Sequence, residues 1–133
     1  MTKIIIEKSG LIGADQLATY LEYRLAEIIW RDELNASSGD NKFLQQSGAF
    51  VCSKHFADEN GGVSGATDIA RSIKAGRVLI IAHEESSGFN ISSEMKGNLI
   101  HLNMASADMQ AAKLEADYVN NYSLQMAASL LLD

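Results

Sequence analysis

A chain of 133 residues, 47% apolar and 21% charged, has enough length for a hydrophobic core and the profile of a folded protein, so one domain over residues 1–133 is expected. Seventeen acids against eleven bases leave a net charge of −6 and no cluster of three or more bases, which argues against nucleic-acid binding, since that rests on basic groups neutralising phosphates. No apolar run approaches the ~20 residues of a membrane span, and the opening MTKIIIEKSG is too briefly apolar for a signal peptide. Cys52 is the single cysteine, which excludes an internal disulfide and fits a reducing compartment. A cytoplasmic location is expected.

The first predicted element is a strand over Thr2–Glu7, rich in isoleucine. The loop SGLIGA follows, punctuated by Gly10 and Gly13. A long helix is then expected from Asp15 to about Leu34, with Leu17, Leu21, Leu25 and Ile28 as its buried stripe. NASSGDN, residues 35–41, ends it. A second strand is expected over Gly48–Phe56, with Phe50, Cys52 and Phe56 on one face.

ADENGGVSG reads as a flexible connection. A short helix follows, on which Ala66, Ile69, Ala70 and Ile73 form one stripe and which Gly76 is expected to end in a left-handed conformation. Arg77–His83, RVLIIAH, has apolar residues on both faces and reads as the central buried strand. Short strands around Phe89–Ser92 and over Asn98–Asn103, separated by the turn SSEMKG, suggest an antiparallel meander. A last long helix, capped by Asn103 or Ser106, ends in SLLLD; those leucines need cover from the fold or from another subunit. The order β-α-β-α-β-β-β-α, without an internal repeat, predicts an α+β fold. Its sheet is expected to be mixed or mainly antiparallel, of about five strands, covered by two long helices.

Candidate chemistry is sparse. His83, Glu84 and Glu85 leave the end of the buried strand, and a histidine beside carboxylates suits a general base. Neighbouring strand residues point to opposite faces, so at most two of the three converge, and a plain polar turn over His83–Gly88 accounts for the same letters. Gly61, Gly62 and Gly65 precede a helix, but GGVSGAT lacks the Gly-Lys-Ser/Thr of a P-loop. Cys52 and His55 resemble a thiol and its base, but the strand reading puts them on opposite faces. His55, His83 and His101 lack metal-ligand spacing, and neither metal nor cofactor is expected.

The acids concentrate at the two ends of the chain. Residues 1–35 hold six acids and four bases, and residues 104–133 hold four acids and one base. This favours a protein-binding domain of inhibitor, immunity or chaperone type. It would dock on a basic partner through Asp15, Glu22, Glu27, Asp32, Glu33 and Trp30. The alternative is a small enzyme or ligand-binding domain with its site at His83–Gly88 and the Gly61–Gly65 loop. A further reading is an assembly subunit that forms a homo-oligomer through the C-terminal helix.

Overall fold

A computed structural model describes residues 2–36, 47–84, 92–105, 109–110 and 115–133. The fold is α+β with a mixed six-stranded sheet. The strands are β1 (Lys3–Ile6), β2 (Glu27–Trp30), β3 (Ser47–Ser53), β4 (Arg77–Glu84), β5 (Ser92–Lys96) and β6 (Leu99–Ala105), in the spatial order β2-β1-β3-β4-β6-β5. The first five in that spatial order run parallel, and β5 is antiparallel to β6 at the edge. Six helices lie among the described residues: α1 (Ala14–Tyr23), α2 (Arg31–Ala36), α3 (Lys54–Glu59), α4 (Gly62–Ser72), α5 (Glu115–Asn120) and α6 (Tyr122–Leu132).

The isoleucine run of β1 and the Val-Leu-Ile-Ile run of β4 are buried on both faces, as parallel strands between two helical layers must be. One face carries Ile4, Ile6, Val51, Leu79, Ile81, Leu102 and Met104, covered by α1 and α6. The opposite face carries Ile5, Phe50, Cys52, Val78 and Ile80, covered by α3 and α4 through Phe56, Ala57, Ala66 and Ala70. As expected, Arg77–His83 lies inside a central strand.

The expected long first helix is three elements instead. Its chain leaves the helical path at Leu25, where φ is +68. Leu25 N–H donates to the Glu22 carbonyl and Ala26 N–H to the Leu21 carbonyl, both at 2.9 Å. This is a Schellman motif with leucine in the left-handed position normally held by glycine. The residues beyond it, Glu-Ile-Ile-Trp, pair with β1 from Lys3↔Glu27 to Ile6↔Trp30. The spacing of Leu25 and Ile28 imitates a helical stripe, but consecutive β-branched residues fit an open sheet edge better. α4 ends in the same way, with Lys74 rather than Gly76 at φ +57 and Ala75 N–H on the Ala70 carbonyl at 2.9 Å.

The second strand stops at Ser53. The Ser53 hydroxyl accepts from Phe56 N–H at 3.0 Å and so caps α3. ADENGGVSG is not a long loop: it holds the end of α3, a tight corner at Asn60 and Gly61, and the first turn of α4. SSEMK is strand rather than turn, and Gly97–Asn98 makes the turn of the β5–β6 hairpin. β4 and β6 are parallel, so the meander is replaced by one antiparallel hairpin on a parallel sheet. The C-terminal helix is broken at Asn121, whose side-chain oxygen accepts from Leu124 N–H at 2.9 Å and caps α6. Asn103 lies in β6 rather than at a cap, and Ser106 lies outside the described residues. At the terminus Leu131 is buried and Leu130 and Leu132 are half-buried against the same core, so the fold itself covers them. No helix among the described residues is long and apolar enough to cross a membrane.

Candidate functional site

The sheet grows from β1 outwards to β2, then returns past β1 to β3 and β4. At such a reversal the loops after neighbouring parallel strands diverge to opposite faces and leave a crevice at the strands' C-terminal ends. Here the loop after β1 turns towards α1, while the chain after β3 enters α3 on the other face. A cleft of about 350 Å³ opens between them, lined by Gly10, Ile12, Ser53, Lys54, His55, Asp58, Ile81, Ala82 and His83.

Local chemistry shapes each wall. Gly10 and Gly13 both have positive φ, and a Cβ at Gly10 would come within 2.9 Å of Ser53 Oγ and 3.2 Å of the His55 ring. Only glycine lets this loop lie so close to the start of α3. Buried Ser53 fixes the approach, because its hydroxyl also donates to the Ser9 carbonyl at 2.9 Å. His83 fixes the other side of the loop: Ile12 N–H donates to His83 Nε2 at 3.1 Å. The imidazole is therefore neutral with its proton on Nδ1, which is enclosed and meets no acceptor among the described residues. Burial lowers the His83 pKa from its ordinary 6.5. With its acceptor nitrogen committed to Ile12, His83 acts in this arrangement as a pin for the β1–α1 loop.

Lys54 and His55 are the cationic and imidazole groups that face the opening. Lys54 Nζ pairs with Asp58 at 2.9 Å and His55 Nε2 with Glu59 at 2.9 Å, both largely exposed. Such exposed i,i+4 pairs are weak, ~0.3–0.5 kcal/mol, so a ligand can compete for either partner. Lys54 also borders a second cleft of about 480 Å³ on the α3 face, with Ile80, Ala82, Ser92, Glu94, His101 and Asn103 in its lining. His101 and Glu94 are register partners there.

Of the residues singled out from sequence, His83 is at the cleft. Glu84 ends β4, and Glu85 to Gly88 lie outside the described residues. The Gly61–Gly65 segment is not in the described lining. It forms the α3–α4 corner, where a Cβ on Gly65 would overlap the Asn60 carbonyl at 1.6 Å. Cys52 and His55 do not pair: His55 is on α3, and Cys52 is fully buried in the sheet. Burial first, then the nearby Glu7 carboxylate, push the Cys52 thiol up to about 12 against the opposing pull of Arg31. No group of three or more potential metal ligands occurs among the described residues.

The acidic residues sit on separate elements. Asp15 opens α1 and pairs with Lys8 at 3.2 Å, while Asp32 and Glu33 open α2; all three stand at the C-terminal end of the sheet. Glu22 and Glu27 stand at its opposite end, beside the α1–β2 turn. Trp30 is half-buried, with Lys8 Nζ 5.2 Å from its ring centroid. Sequence reasoning missed Gly10, Ser53 and Lys54; the Ser-Lys-His-Phe capping signal at the end of the strand was the one available cue. No family model, curated protein or solved structure matches the chain.

Proposed function

We propose that this protein binds a small polar ligand bearing an acidic group in the cleft at the C-terminal ends of β1, β3 and β4. The observation that carries the reading is the pinned loop at the sheet reversal: Gly10, Ser53 and His83 hold a polar opening where parallel sheets offer one. Lys54 borders both clefts there and supplies the charge that an acidic group would meet. Thermal unfolding against organic acids, sugar phosphates and nucleotides tests it. A ligand at one hundred times its Kd stabilises by ~2.7 kcal/mol. The exposed-residue variant Lys54→Ala/His55→Ala should keep the ligand-free melting temperature and lose that gain. A melting temperature indifferent to the whole panel would count against the reading.

A separate observation favours docking on a protein partner, in the manner of an inhibitor, immunity protein or chaperone. The α1–β2 turn exposes Tyr23 at 53% and Leu25 at 78%, flanked by Glu22 and Glu27. Arg24 of the same turn is paired with Asp133 at 3.4 Å, which leaves the Glu22 and Glu27 carboxylates beside the exposed apolar pair, an arrangement that suits a basic protein surface. Capture of such a partner should weaken on Glu22→Lys/Glu27→Lys substitution, and capture at wild-type strength would set this reading aside. A cytoplasmic location accompanies both readings.

A further inference from the structure

β5 is the outermost strand, and all five of its residues are exposed. Its hairpin with β6 turns through Gly97 and Asn98, with φ +59 at Gly97, as a type II′ turn requires of its first central residue. Such a turn bonds the Lys96 carbonyl to Leu99 N–H. The antiparallel ladder alternates from there, so Ser92, Glu94 and Lys96 direct their backbone groups to β6. Ser93 and Met95 direct theirs outwards, where no strand among the described residues takes them up.

We propose that this edge pairs with the same edge of a second copy of the chain, antiparallel, about a two-fold axis at Met95. Backbone parity admits a two-fold centred on any residue of this strand, and charge selects Met95 among them. With Met95 opposite Met95 of the second copy, the outward N–H and C=O groups of the two Met95 residues meet. Glu94 then stands opposite Lys96 of the second copy, and the two-fold repeats the pair. These fall at non-hydrogen-bonded positions, where opposed side chains are closest and unlike charges contribute roughly 0.2–1 kcal/mol per pair. A register centred on Glu94 instead would also let the outward backbone groups meet, Ser93 with Met95 of the second copy, but it would oppose Glu94 to Glu94 at the closest side-chain positions. Charged residues on an edge strand commonly keep strands apart; here the opposite signs at 94 and 96 make the edge complementary to itself.

Met95, 60% exposed, projects from the sheet face that carries α6, beside a cleft lined by Arg77, Ile100 and Leu130, and would be covered by its copy. The product is a continuous sheet across two chains. Its interface is at the small end of specific contacts, so association should depend on concentration and salt.

Sedimentation velocity on the full chain, from micromolar to millimolar at low salt, tests this. The mass should rise from 14.4 kDa towards twice that value. Glu94→Lys and Lys96→Glu, both at exposed positions, should each remain monomeric because like charges then face across the axis. An equimolar mixture of the two variants should recover the dimer, since each mixed contact is again between unlike charges. A wild-type chain that stays monomeric throughout would overturn the proposal. So would single variants that dimerise like wild type, or a mixture that stays monomeric. Circular dichroism of each variant verifies that the fold is kept.

Discussion

His83 links the fold to pH through one hydrogen bond. Its Nε2 must be unprotonated to accept from Ile12, and burial lowers its pKa below 6.5. Below that pH the unfolded chain takes up a proton here that the folded chain refuses. The contribution of His83 is therefore complete above pH 6.5, and it is lost as pH falls from 6.5 towards the lowered folded value. Urea unfolding of wild type and His83→Asn across pH 8 to 5 isolates this share as the difference between the two curves. Wild type should lose stability relative to the variant on acidification. A constant difference across the range would show that His83 titrates alike in both states. The histidine itself was legible as a polar residue at the end of a buried strand. Its partner was not, because Ile12 lies 71 positions away and only the topology brings the two together.

Elements show where local patterning was sufficient and where it misled. RVLIIAH could be read as a buried strand because its apolar run admits no solvated face. Phe50, Cys52 and Phe56 fell on one face as expected, although Phe56 belongs to a helix. The first helix was overextended because its true end uses leucine where a reader of sequence looks for glycine. The same holds at Lys74. Each left-handed non-glycine residue costs ~1–2 kcal/mol relative to the right-handed conformation. Leu25 is largely exposed, so it gives up little packing on replacement. Leu25→Gly should therefore stabilise the protein by up to ~1 kcal/mol, and Lys74→Gly by a similar amount. Chemical denaturation reads this as a higher midpoint at unchanged slope. A lower midpoint for both variants would mean that these helix ends are not Schellman turns. Parallel pairing was the larger omission: the isoleucine run of β1 carried the same two-faced signal as β4, but strand neighbours are set by crossovers that no short window contains.

At the scale of the molecule, a reversal in strand order brings the ends of β1, β3 and β4 together, and the residues there converge from three parts of the chain. Gly10 permits the close approach, Ser53 and His83 tie the loop from two sides, and Lys54 and His55 face the opening. The acidic residues, by contrast, are dispersed to both ends of the sheet by the break at Leu25. The proposed ligand site lies at this C-terminal edge. Two-dimensional amide NMR of the labelled protein, titrated with pools of small acidic metabolites, addresses it most directly. Shift changes should centre on Gly10 to Ile12, Ser53 to His55 and Ala82 to His83. Changes confined to the opposite edge around Tyr23 to Glu27, or none with any pool, would contradict the account.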